Sequence, residues 1–179
     1  MNSPAIGSIM FSAEKIQQKI AETGAQITDA YQGLELVVIS VLKGSLYFLA
    51  DLTRHINLPL SIDFLSIKAF PDETRKTGIV RFTKDLDISI TDKHVLLVED
   101  VVGTGLTLAY ICQHLEAAKP ASLKICTLFD DPSDRLLAIN VDYRCFIMPN
   151  QFVVGYGLDY QEKYRNLPYI AAFDREKMT

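Results

Sequence analysis

The chain has 179 residues, 49% hydrophobic and 22% charged, which suits one domain over residues 1–179 with a full core and argues against a disordered or fibrous protein. A formal net charge of −4 supplies no basic field, so no nucleic acid is expected as a bulk electrostatic partner, while a phosphorylated small molecule stays open if a cation helps. Cys112, Cys126 and Cys145 lack C-x-x-C spacing and read as reduced core thiols of a cytoplasmic protein, and neither a long apolar run nor a leader-like start points to a membrane.

In chain order, "SAEKIQQKIAETGAQITDAYQG" carries Ile16, Ile20 and Ile27 among polar residues, the spacing of an amphipathic helix closed near Gly33. "LELVVISVL" reads as a buried strand, "GSLYFLADLTRHI" as a helix and "LSIDFLSIKAF" as a strand. "PDETRKTG" is a polar breaker cluster before the strand-like "IVRF". "KHVLLVED", "GLTLAYICQHLEAAKP" and "SLKICTLF" then form strand, helix and strand, a βαβ unit of parallel-sheet type, and "YRCFIM" and "QFVVGY" add two further strand-like runs. No repeat, low-complexity run or linker interrupts them.

The chemistry gathers in "VLLVEDVVGTGLTLAYICQHL". An apolar strand ends in Glu99 and Asp100, a glycine turn follows, and a helix begins, which is the edge where α/β sheets bind ligands. The amides of Gly103, Thr104, Gly105 and Leu106, with the Thr104 and Thr107 hydroxyls, suit a phosphate monoester at a positive helix terminus. Carboxylates accept from a vicinal diol and partner Mg²⁺, so acids beside a phosphate cradle suggest a ribose 5-phosphate. A glycine turn merely capped by acids accounts for the same letters. The nucleoside triphosphate loop G-x-x-x-x-G-K-[ST] lacks its lysine here, and the dinucleotide loop G-x-G-x-x-G fails at Leu108.

The same stretch resembles the phosphoribosyl pyrophosphate (PRPP) motif of type I phosphoribosyltransferases. "ISVLKGSLYFLADLTRHI", "DFLSIKAF", "VRFTKDLD", "KICTLFDDP" and "FVVGYGLDYQEKYRNLPYI" follow, in order and spacing, the hypoxanthine-guanine members of purine salvage. The resemblance implies a twisted, mainly parallel α/β sheet flanked by helices, a small hood over its carboxyl edge, and a homodimer or homotetramer. It implies attack of a purine N9 on C1 of PRPP, releasing pyrophosphate and a nucleoside monophosphate.

By matching positions, the resemblance gives Lys43 and Gly44 to the pyrophosphate loop, with an unusual backbone at the Leu42–Lys43 bond. It gives Glu99 and Asp100 to the ribose hydroxyls and Mg²⁺, Asp159 to a second Mg²⁺, and Arg165 to pyrophosphate oxygens. Phe152 would stack on the purine, the Val153 backbone would meet its edge, and Lys68 to Gly78 would form a lid. Arg135 matches a further family position. Each has a plainer alternative: Lys43, Asp159 and Arg165 as surface ion partners, Phe152 as a core aromatic.

The chain departs from the family in three places. Gly103 stands where the family has an aspartate that takes or steers the N7 proton of the purine. Asp131 stands where a lysine donates to the 6-oxo group, and Ala69-Phe70 replaces a Ser-Tyr pair at the start of the lid. The nucleotide half of the site therefore reads as intact and the base half as altered. His55, His94 and His114 share no ligand spacing and receive no role.

Overall fold

The computed structural model describes residues 5–70 and 79–178, so most of the expected lid, residues 71–78, lies outside the described residues. Six strands form the main sheet: β2 (Leu36–Leu42), β3 (Leu60–Phe70), β4 (Ile79–Lys84), β5 (His94–Val102), β6 (Ser122–Asp130) and β7 (Tyr143–Ile147). Their order is β4-β3-β2-β5-β6-β7, with every pairing parallel except the antiparallel β3–β4 edge. The central strands β2 and β5 are nearly continuous apolar runs because both of their faces are covered.

Along β2 the period-two alternation divides the core. Leu36 and Val38 face α1 (Ala13–Ala30) and α2 (Leu46–Arg54), with Ile16, Ile20, Ile27, Phe48 and Leu52 packed on them. Val37, Ile39 and Val41 face α3 (Leu106–Ala117) through Leu108, Ile111 and Leu115. Ser12 caps α1 by accepting from the Lys15 amide, and the helix gives way at Tyr31, before Gly33 with its positive φ of 76°.

A second, three-stranded sheet orders β1 (Ile6–Phe11), β9 (Ile170–Phe173) and β8 (Val153–Val154). The sequence reading missed β1 and β9 and drew β8 too long. Positive φ angles at Gly155, Tyr156 and Gly157 (107°, 48° and 98°) turn the chain out of the strand after two residues. The apolar "YIAAF" was the available signal for β9, but a strand that short is defined by its neighbours rather than by period. Tyr156 ties this sheet to α2, its hydroxyl donating to Asp51 Oδ2 at 2.5 Å. Among the described residues no helix is long and apolar enough to cross a membrane.

Candidate active site

The carboxyl ends of β2 and β5 and the loop after β8 meet at one point. β2 ends in a cis peptide bond between Leu42 and Lys43. Gly44 follows and lies so close to Asp100, at the end of β5, that a Cβ there would overlap the Asp100 carboxylate. On its other side the Gly44 carbonyl fills the space that a Cβ at Gly157 would need. Two glycines thus allow three segments to converge within backbone contact, and they line a cavity of about 510 Å³ with residues of all three.

Gly44, Glu99, Asp100, Gly103, Thr104, Gly105, Thr107, Asp159 and Arg165, all expected from the sequence, line that cavity. The turn after β5 is built as a cradle. Gly105 has φ +84°, the left-handed conformation that opens α3, and its carbonyl accepts from Ala109 N at 2.8 Å. Leu106 contributes backbone alone, since its side chain is exposed. The Thr104 hydroxyl accepts from the Leu106 amide at 3.4 Å.

Burial and the neighbouring Asp100 charge push the Glu99 carboxyl well above its ordinary value. Asp100 is also raised by burial, although the Val101 amide at 2.8 Å and the Arg165 charge pull the other way. Such an acid pair is costly without a cation. Arg165 donates through Nη1 to the Gly157 carbonyl at 2.7 Å, and through Nη2 to Asp159 Oδ1 at 2.8 Å and Glu162 Oε1 at 3.2 Å. Its Nε is buried without a hydrogen-bond partner. A guanidinium that lines the same cavity as the turn opening α3 suits an anion with several oxygens.

The other expected residues fall elsewhere. Lys43 turns outward to Glu162, Nζ–Oε2 2.7 Å, with both side chains about two-thirds exposed. Lys68 lies in β3 opposite Arg81 on β4. Arg135 is not among the residues lining the cavity: its guanidinium donates to the carbonyls of Gly103 (2.9 Å), Val102 (3.1 Å) and Ile139 (3.2 Å) and pairs with Asp130. There it clamps the loop after β6 onto the phosphate turn, helped by the amides of Leu136 and Leu137 on the Thr104 carbonyl at 3.0 and 3.1 Å.

Asp131 and Phe152 share a second cavity of about 950 Å³. Asp131 Oδ1 is engaged by its own loop, accepting from Ser133 N at 3.1 Å, Ser133 Oγ at 2.5 Å and Asp134 N at 3.3 Å. The Arg175 guanidinium covers one face of the Phe152 ring, 3.7 Å from its centroid. Val153 is buried and pairs with Ala172. Ala69 and Phe70 end β3. Asp134, which no sequence pattern marked, lines the first cavity beside Gly103.

An acid pair and a glycine turn at the carboxyl edge of a parallel sheet, lining one cavity with an arginine, define an α/β protein with a candidate ligand site at that edge. A family model described as phosphoribosyl transferase domain matches residues 9–161. The hypoxanthine-guanine phosphoribosyltransferase of Bacillus subtilis is 45% identical over 165 residues, covering 92% of each chain. That of Mycobacterium avium is 44% identical, covering 94% of this chain and 86% of its own. A crystal structure of a hypoxanthine phosphoribosyltransferase from Staphylococcus aureus superimposes with a TM-score of 0.91 at 43% identity, over 98% of this chain and 95% of that one. The chain belongs to the phosphoribosyltransferases and, within them, to the hypoxanthine-guanine group.

Proposed function

We propose that this protein transfers the 5-phosphoribosyl group of PRPP to hypoxanthine or guanine, giving IMP or GMP and pyrophosphate. The observation that carries the reading is the cavity where Gly44, Asp100 and Gly157 converge beside the Gly103–Thr107 cradle. The cradle amides and the helix N-terminus hold the 5-phosphate, and Glu99 and Asp100 accept from the ribose hydroxyls. Arg165 faces the pyrophosphate, whose departure with the C1–O electron pair leaves positive charge on the ribose. Water must be kept from C1 during the reaction, because it would otherwise take the place of the base.

Mg²⁺ fits this chemistry. Among the described residues no three His, Cys, Asp or Glu side chains converge as a protein-only ligand set, whereas Mg²⁺ is commonly held by one or two carboxylates and substrate oxygens. Asp100 and Asp159, both lining the cavity, are the residues to hold it, with Glu99 behind them, and its charge would neutralise the leaving pyrophosphate. A homodimer or homotetramer in the cytoplasm completes the proposal.

A second reading, a non-catalytic PRPP or nucleotide sensor, draws on Gly103 and Asp131, which leave the cradle whole and alter the base side. Pyrophosphate release with PRPP, Mg²⁺ and hypoxanthine, guanine, xanthine or adenine in turn separates the two. Turnover with a 6-oxopurine supports the enzyme. Tight PRPP binding without turnover on any base supports the sensor, and calorimetry showing affinity for neither PRPP nor a nucleoside monophosphate removes both.

A further inference from the structure

Asp134 belongs to a short loop that contributes residues to both cavities. It lines the sugar-phosphate cavity with Gly103 and Asp100, while Asp131 and Ser133 of the same short loop line the cavity that holds Phe152. A nucleotide with its sugar in the first cavity and its base in the second would place the bond between them beside this loop. Gly103 has no side chain, and the one atom among the described residues that a Cβ there would meet within 4 Å is Asp134 Oδ2, at 3.2 Å. The Asp134 carboxylate therefore occupies the space into which a side chain at 103 would project.

The loop is held in that position. Arg135 is locked on the Gly103 and Val102 carbonyls, the Leu136 and Leu137 amides donate to Thr104, and Asp131 N donates to the Val102 carbonyl at 2.9 Å. Asp131 Oδ1 accepts from the Asp134 amide and shapes the turn that presents Asp134. The Asp134 carboxylate itself makes no ion pair or hydrogen bond with the described residues.

A neutral purine that forms a bond through one ring nitrogen must lose a proton from the ring, so the reaction needs an acceptor near the base–sugar bond. The other carboxylates lining the cavity are committed. Glu99 is buried at the floor, Asp100 packs on Gly44 and accepts from Val101 N, and Asp159 is paired with Arg165 and accepts from Glu162 N at 2.8 Å. We propose that Asp134 is the proton acceptor of this transferase, a catalytic carboxylate delivered from the loop after β6 to the place left open by Gly103. The N9 lone pair forms the bond to C1, the C1–O bond breaks with its electron pair leaving on pyrophosphate, and the N7 proton passes to Asp134 and then to solvent. Gly103 and Asp131 are then two parts of one rearrangement, the glycine making room and Asp131 holding the loop.

The inference rests on the transferase reading and is tested with the full-length protein. Asp134→Asn should lower kcat with hypoxanthine or guanine by about 10²-fold or more, with PRPP affinity by calorimetry within about twofold of wild type. Gly103→Asp in the Asp134→Asn background should restore at least about tenfold of the loss, whereas Gly103→Asp alone should bring no gain because two carboxylates would share one place. Wild-type kcat in Asp134→Asn, a loss of PRPP affinity matching the loss of rate, or no recovery in the double variant would each overturn the assignment while the transferase reading stands. A wild-type protein that binds PRPP but turns over no purine removes the transferase reading, and this inference with it.

Discussion

Gly44 and Asp100, at the ends of the neighbouring strands β2 and β5, are packed so closely that no side chain fits at residue 44 without striking the Asp100 carboxylate. The Gly44 carbonyl is pinned in turn against Gly157, so the loop cannot retreat. Gly44→Ala should therefore displace Asp100 rather than itself, costing about 1–3 kcal/mol of stability through overpacking. Displacing the carboxylate proposed to bind metal and ribose by even ~1 Å should cut kcat/KM for PRPP by about 10²-fold. Urea melts and steady-state kinetics check both, and a variant with unchanged PRPP kinetics would show that Asp100 is not positioned by this contact.

Glu162 bridges the outward-turned Lys43, at 2.7 Å, and Arg165 of the proposed pyrophosphate site, at 3.2 Å. An incoming pyrophosphate competes with that carboxylate. Because exposed ion pairs are weak and screened by solvent, Glu162→Gln should tighten product inhibition by pyrophosphate by no more than about fivefold and leave stability nearly unchanged. Inhibition constants for pyrophosphate in the two proteins decide it, and weaker inhibition in the variant would place the polyanion elsewhere.

Asp63, on β3, organises the connection that leads from β4 to β5. Its oxygens accept from the amides of Phe64 (2.7 Å), Asp87 (2.7 Å) and Ile88 (3.0 Å), with Lys84 at 3.4 Å. Burial alone would raise this carboxyl, but the three amides and the lysine outweigh it and hold the group below its ordinary value of 3.8. A depressed folded value gives stability that is present above the ordinary value and is lost as pH falls through the folded one. Asp63→Asn should therefore be less stable than wild type at pH 7 by about 2 kcal/mol, and the gap should shrink below about pH 4. Urea denaturation at both pH values tests this; a gap independent of pH would mean that the charge contributes nothing.

Asp131 holds three donors of its own loop on Oδ1. Asp131→Lys should loosen that loop, costing about 1 kcal/mol or roughly 2–4 °C in Tm, and should lower kcat/KM for hypoxanthine and guanine together. Asp131→Asn, which keeps an acceptor oxygen, should retain most of both. A roughly tenfold rise for the 6-oxopurines in Asp131→Lys, about 1.4 kcal/mol, would instead show that the carboxylate faces the base and repels its oxygen.

The glycine turn between β5 and α3 was legible from the chain because its rules are local. An apolar run ending in Glu99 and Asp100, glycine at 105 where φ is positive, and apolar spacing resuming at Leu108 and Ile111 are decided within a few residues of one another. The same holds for α1, whose cap and apolar stripe lie in its own letters. What tertiary structure decided concerns contacts between distant segments. Gly44 reads as an ordinary loop glycine until Asp100 and Gly157 are brought against it. Arg135 resembles a ligand residue until its donors are found on the Gly103 and Val102 carbonyls, where a buried guanidinium must satisfy itself. Strand β8 is short because the chain turns away at Gly155 and Gly157, the latter packed on Gly44, and β1 becomes a strand only by pairing with β9, which also pairs with β8. The absence of a side chain at 103 is written in the sequence, but the carboxylate of Asp134 beside it is not, since only the clamped loop after β6 brings the two together.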